Sequence, residues 1–524
     1  MKRFLVYMLF FVFSGSIWGQ NILFRNDSIV VKKGGNHLSL PWATGLNSAH
    51  ISRIDLNFDG ILDLFIFEPN IEYNPLTGDK IFTFINNGTA DVADYTYAPE
   101  YAKKFPRMER FVLLRDFNCD GKMDIFTHDV RDRISVYKNV SDPGDTNGLA
   151  FEMEKDILTT SAQGYPSTYP FYDEIYWNYE DLISVTDIDN DGDLDVLTID
   201  FSGYFVEYHK NMSVEMNYGC DSLIFELKNT CWGEFGEDQN TVVLDTCNPY
   251  GNVGNPEKEK PPIHSGKIKK GSSAKGAKHS STALLALDLD GDNVKDLVAG
   301  DFSSKSLTML MNNGTTTSSH MNFFSYTFPI LNPVDLSIYV MPFYEDVNND
   351  NKNDFIATVR SSGTFQNTES VWMYINSGTT ANPVLTLSTK SFLQEDMIDV
   401  GQNAYPVFFD YNNDSLIDLV IGNYGYFQSL AFPNNNYISK LALYKNVGTK
   451  SLPEFEFVTD DFAGLSSLNL DVTLNKPTLG IKPTFGDLNG DGHMDMIVGD
   501  YNGMLHYFVN NPVGAVSEFV LKEV

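Results

Sequence analysis

An all-β fold built from seven repeated antiparallel units is predicted by three features of the sequence. An acidic nonapeptide of the form D-x-[DN]-x-D-[GNS]-x-x-D recurs with starts at Asp55, Asp116, Asp187, Asp288, Asp346, Asp410 and Asp487. A short apolar run follows each copy at once ("LFIF", "VLTI", "LVIG", "MIVG"), and a second run ends in Asn ("IFTFINNGT", "LALYKNVGT"). Such β-branched and alternating runs joined by Asn-Gly turns are strands in hairpins. Finally, the 38 Phe and 27 Tyr of the 524 residues favour strands over helices. A strand before each nonapeptide ("YPVFFD", "KPTFGD") and a fourth after the Asn ("FEFVTD", "SEFVLKEV") complete a small sheet. Seven such sheets can close a ring, so the predicted architecture is a seven-bladed β-propeller of four-stranded antiparallel blades.

In chain order, the first segment stands outside that architecture. Lys2 and Arg3 precede "FLVYMLFFVF", and small residues follow in "SGSIWGQ". This is the anatomy of a secretory signal peptide over residues 1–19, cleaved after Gly19. The apolar run is too short for a permanent membrane anchor, and no later run approaches the length of a transmembrane helix. The mature chain, residues 20–524, is expected to be secreted or held at the cell surface. The longest gap between nonapeptides contains an insertion at about 213–280. Its first part holds Cys220, Cys231 and Cys247; its second, "NPEKEKPPIHSGKIKKGSSAKGAKHSS", has the composition of a flexible loop. One disulfide within the cysteine cluster is expected, with Cys119 standing apart. "ILFRNDSIVV" near the start and "SEFVLKEV" at the end compete to close the ring.

The nonapeptide carries the chemistry. Side-chain oxygens at positions 1, 3, 5 and 9, with a backbone carbonyl at 7, suit a hard cation of calcium size. The first copy offers Asp55, Asn57, Asp59, Ile61 and Asp63, and the second Asp116, Asn118, Asp120, Lys122 and Asp124. The third has Asp187, Asp189, Asp191, Asp193 and Asp195, and the fourth Asp288, Asp290, Asp292, Val294 and Asp296. The fifth has Asp346, Asn348, Asp350, Lys352 and Asp354, and the sixth Asp410, Asn412, Asp414, Leu416 and Asp418. Asp487, Asn489, Asp491, His493 and Asp495 form the last. Up to seven Ca2+ ions are expected, each offsetting the repulsion within its cluster. Position 6 must tolerate a positive φ; it is Gly in four copies, Asn293 and Asn351 in two, and Ser415 in the least favourable one. An EF-hand is excluded, because it needs Glu at position 12, where this chain has Ile66, Thr127, Thr198, Ala299, Ala357, Ile421 and Val498.

At these residues the chain resembles the FG-GAP/VCBS repeat family of integrin-α-like propellers, over residues 50 to 524. It looks like secreted surface proteins of the Bacteroidota type, many of which end in a sorting domain that is not visible after "SEFVLKEV". The resemblance implies calcium loops on one face and ligand contacts on the opposite face. Carried onto this chain, the candidate ligand face includes Tyr176, Trp177, Tyr179, Tyr424, Tyr426 and Phe427, aromatics able to stack on a sugar ring or a partner's side chains.

A net charge of −32 argues against a nucleic-acid partner. The nine histidines show no HExxH arrangement, and neither a G-x-S-x-G elbow nor a phosphate loop is present. The expected function is therefore a non-catalytic binding or adhesion module for a protein or glycan ligand at the cell surface. Alternatives are a calcium-dependent polysaccharide lyase or hydrolase, or a structural spacer in a larger surface complex.

Overall fold

The computed structural model describes residues 28–69, 80–129, 133–144, 148–162, 173–178, 180–201, 203–238, 241–247, 282–360, 365–429, 437–471 and 476–522. The signal segment, Tyr179 and the lysine-rich part of the insertion lie outside the described residues. Within them the fold is all-β, and the helical elements are three short 3-10 turns. No helix among the described residues is long and apolar enough to cross a membrane.

Each nonapeptide joins the first and second strands of an antiparallel sheet; the seven sheets are numbered I to VII here in chain order. Sheet I runs His50–Ile54, Asp63–Glu68, Lys80–Asn86 and Tyr95–Tyr97. Its second strand is buried along its whole length, as are Asp296–Asp301 of sheet IV and Asp354–Val359 of sheet V. That explains why these strands read as unbroken apolar runs rather than alternating ones. Aromatic side chains fill the spaces between sheets: Phe65 of sheet I lies 4.6 Å from Phe105, which stacks at 5.0 Å on Phe151 of sheet II.

Sheets I to V surround a common well of about 440 Å3, lined by their first strands: His50–Ile54, Glu109–Arg115, Ser184–Thr186, Thr282–Leu287 and Val340–Glu345. Sheet V then packs against sheet I. Thr358 donates to Ala49 O at 2.8 Å, Ser370 to Leu46 O at 3.1 Å, and Tyr95 to Val347 O at 2.9 Å. Sheets VI and VII form an adjoining pair, with Phe409 stacked 4.1 Å from Phe485. Asn367 anchors this pair to sheet V by accepting from Phe427 N and donating to Gly425 O, both at 2.9 Å.

The first strands thus divide five and two, where the repeat count alone predicts one ring of seven. The reason lies in those strands. "TALLAL" and "VMPFYE" are almost wholly buried, whereas Gln402–Phe409 and Lys482–Gly486 carry Gln, Asn, Lys and Pro and are largely exposed. A strand with exposed polar residues suits an edge better than a packed centre.

Two expectations for the ends and the insertion change. Val30–Lys33 pairs in parallel with Glu454–Thr459, the fourth strand of sheet VI, while Phe519–Leu521 completes sheet VII. Neither terminus therefore closes the other's sheet. Phe225–Asn229, placed in the insertion from sequence, is the fourth strand of sheet III, and the Phe235–Asp238/Thr241–Leu244 hairpin follows it. Cys231 pairs with Cys247 inside the cysteine cluster, but Cys119 does not stand apart: it is bonded to Cys220, tying the second acidic loop to sheet III.

Candidate functional site

The seven acidic loops share one hydrogen-bond scheme. At position 1, the Asp carboxylate accepts from the backbone N–H of position 6, as in Gly60 to Asp55 (3.0 Å) and Ser415 to Asp410 (2.9 Å). The position 5 Asp accepts from the N–H of position 7, as in Ile61 to Asp59 and His493 to Asp491, both 2.8 Å. Every position 6 residue has a positive φ, from 63° at Asn351 to 104° at Gly192, and Ser415 takes 68°. Position 4 was read as unconstrained, yet it too is left-handed throughout, including Phe58 (63°) and Cys119 (57°). Two left-handed residues two apart fold the loop back on itself and turn its carboxylates inward.

Position 9 anchors the loop to its sheet. Asp63 accepts from Leu56 N at 2.7 Å with one oxygen and from Asn86 N at 2.8 Å with the other. The equivalent pair of bonds is made by Asp124, Asp195, Asp296, Asp354, Asp418 and Asp495. All seven of these side chains are buried. The second partner is always the Asn that ends the third strand, and in six sheets the Asn side chain also donates to the carbonyl of position 8. The recurrent Asn was visible in sequence as a strand ending; its role as a clamp on the loop was not.

Burial pushes six of these carboxyls up, to about 6 at Asp63, Asp354 and Asp418, about 7 at Asp124 and Asp296, and about 8 at Asp195. The two backbone N–H groups oppose the shift and do not cancel it, and neighbouring loop acids add to it in each case. A cation among these oxygens would favour the ionised form. The donor set fits one where it is richest: Asp288, Asp290 and Asp296 converge, as do Asp187, Asp189 and Asp195. In the third loop Lys210 also reaches in, bonded to Asp189, to Asp191 at 2.7 Å and to Glu215 at 2.5 Å.

In the central well two arginines pair with one glutamate. Glu345 takes Arg115 at 2.9 Å and Arg53 at 3.4 Å, and Arg53 also approaches Asp346 at 3.7 Å. Two buried histidines sit in packed networks rather than beside a nucleophile in a cleft. His209 lies 3.3 Å from both Thr198 and Thr160, and His506 is 3.0 Å from Asp500, which also accepts from Thr478.

The candidate aromatics divide. Trp177 is not available to a ligand: it is 5% exposed, packs 4.5 Å from His128 and 5.3 Å from Phe111, and donates its indole N–H to Asp181 O. The core between sheets II and III claims it, because a large apolar ring gains more from burial than from solvent. Tyr176 is partly exposed beside Phe201 at 5.7 Å. Tyr426 packs on the core under sheet VI with the Lys440 ammonium 5.7 Å from its ring. Tyr424 and Phe427 lie in the last four residues of the second strand of sheet VI, Asp418–Phe427, at the end remote from its acidic loop. There they meet Tyr437, the last residue of the stretch 423–437 that the sequence places on this face, 5.6 Å from Tyr424 and 5.9 Å from Phe427, and Tyr501, which sequence reading missed, 5.7 Å from Tyr424. Tyr501 is 70% exposed.

No curated protein matches the chain. Among solved structures, it is similar to an Agrocybe aegerita lectin described as recognising non-reducing terminal N-acetylglucosamine. That likeness has 15% identity over 91% of this chain and 90% of the lectin, with a TM-score of 0.27. A family model describes a segment directly: residues 410–498, from the sixth acidic loop to the strand beyond the seventh, are an FG-GAP-like repeat.

Proposed function

We propose that the protein is a secreted, calcium-stabilised β-propeller that acts as a non-catalytic binding or adhesion module for a glycan or protein at the cell surface. The observation that carries this reading is a division of labour along the sheets. At one end the acids at positions 1, 5 and 9 of all seven loops share one hydrogen-bond scheme, which a bound cation would complete. At the opposite ends of sheets VI and VII, Tyr424, Phe427 and the exposed Tyr501 gather as a stacking surface around the buried Tyr437. Two disulfides support an oxidising compartment. Arg53 and Arg115 both pair with Glu345 in the well, which supports a binding reading over acid/base hydrolysis there.

The test is retention of the calcium-loaded protein on a panel of immobilised polysaccharides and surface proteins, with released oligosaccharide assayed in the same samples. Retention that weakens at least about tenfold in Tyr424→Ala with Tyr501→Ala, with no product formed, is the expected result; tenfold corresponds to about 1.4 kcal/mol, within the range of base or sugar stacking on an aromatic ring. Chelator-sensitive release of oligosaccharide would overturn the non-catalytic reading in favour of a lyase or hydrolase.

A further inference from the structure

The residue before the strand-ending Asn is a lysine in three sheets, and the three lysines behave differently. Lys138 of sheet II turns away from its own loop and pairs with Asp221 at 3.6 Å. Lys445 of sheet VI approaches a single loop carboxylate, Asp414, at 3.6 Å and remains 35% exposed. Lys210 of sheet III enters its loop. Its side chain is 12% exposed, and its ammonium meets Asp189, Asp191 and Glu215 together.

Asp189 and Asp191 are positions 3 and 5, the same oxygens a metal ion in this loop would need. An ammonium group has three donors, and here each has a carboxylate acceptor. Glu215 comes from outside the nonapeptide, in the turn after the third strand, so the cage has one more acid than the repeat supplies. The fourth loop makes the contrast: it has the same four repeat carboxylates, but the residue before its Asn is Met311, and among the described residues no lysine or arginine pairs with its acids. A divalent ion and an ammonium could not share the third loop, since both would compete for the same oxygens while repelling each other.

We propose that Lys210 is the resident cation of the third loop, with Glu215 completing its cage, so that this loop holds its shape without calcium and the chain takes calcium at six loops rather than seven. The inference rests on the calcium reading for the other loops. Lys210 then acts as a built-in substitute for the metal, making sheet III the part of the molecule least sensitive to calcium withdrawal.

Calcium bound per chain, measured by equilibrium dialysis at saturating calcium, tests this on the whole protein and on Lys210→Met and Lys210→Arg, all produced with calcium present. The expected result is a gain of one calcium ion per chain in Lys210→Met and none in Lys210→Arg. Thermal melting in chelator supplies the second readout: Lys210→Met should melt below the unmodified protein there and recover when calcium is added. Equal calcium counts in the unmodified protein and Lys210→Met would overturn the inference while leaving the calcium reading standing. If neither binds calcium, the calcium reading fails; the melt in chelator then decides, and an unchanged melting temperature in Lys210→Met would refute the role of Lys210 as well.

Discussion

At the scale of single residues, the acidic loop is more legible in sequence than its surroundings. Position 6 was expected to take a positive φ because its Gly and Asn residues favour that region, and it does so in every copy, even at Ser415. Position 4 varies from Phe to Cys to Gly, so composition hid a constraint equally strict. Ser415→Gly should therefore stabilise the protein by about 0.5–1 kcal/mol, since Gly adopts this conformation without a Cβ penalty; urea melts would show it as a raised midpoint with an unchanged slope. Asp399 lies outside the repeat, where the sequence offered no signal. It accepts from Gly401 N at 2.8 Å and from the Gln394 amide at 3.2 Å, and Gln394 also donates to Leu46 O. Burial pushes its carboxyl up to about 7 from an ordinary value of 3.8. Between those values the unfolded chain binds fewer protons than the folded one, so this group makes stability fall as pH rises from about 4 to 7. Asp399→Asn cannot ionise. With calcium saturating throughout, the decline in melting temperature from pH 5 to pH 8 should be shallower in the variant, and parallel profiles would count against a raised Asp399 pKa.

Elements were legible where periodicity was strong. The second and third strands of each sheet were found from their apolar runs and terminal Asn. Phe225–Asn229 was missed as a fourth strand because it lies among the cysteines that mark the insertion, and a Cys-rich segment reads as a separate unit. Pairing of Cys119 with Cys220 was equally hidden: the two are 101 residues apart, and their proximity depends on sheets II and III lying side by side. Removing that bond with Cys119→Ser and Cys220→Ser should cost about 2–4 kcal/mol, by releasing a long closed loop in the unfolded chain. Denaturant melts of the double variant against the unmodified protein would measure it. A loss below about 0.5 kcal/mol would mean that packing alone holds the second loop against sheet III.

For the whole molecule, the repeat specified the sheet but not how many sheets share a centre. That number depends on the side chains of the first strands, which pack against residues far away in sequence. Exposure along Gln402–Phe409 and Lys482–Gly486 keeps sheets VI and VII beside the well of sheets I to V, joined through Asn367 and the Phe409–Phe485 stack. The chemistry nevertheless repeats in all seven sheets, because each loop is built from local residues and one Asn from its own third strand. In the proposed account these loops are the points where an excess of negative charge, −32 over the chain, is converted into rigidity by bound cations. Thermal melting of the mature chain at low salt, in calcium and in excess chelator, tests that account most directly. A site held at about a hundredfold its Kd contributes about 2.7 kcal/mol, so several sites together predict a fall of about 10 °C or more on chelation, reversed by added calcium. A melting temperature unchanged by chelator would contradict it.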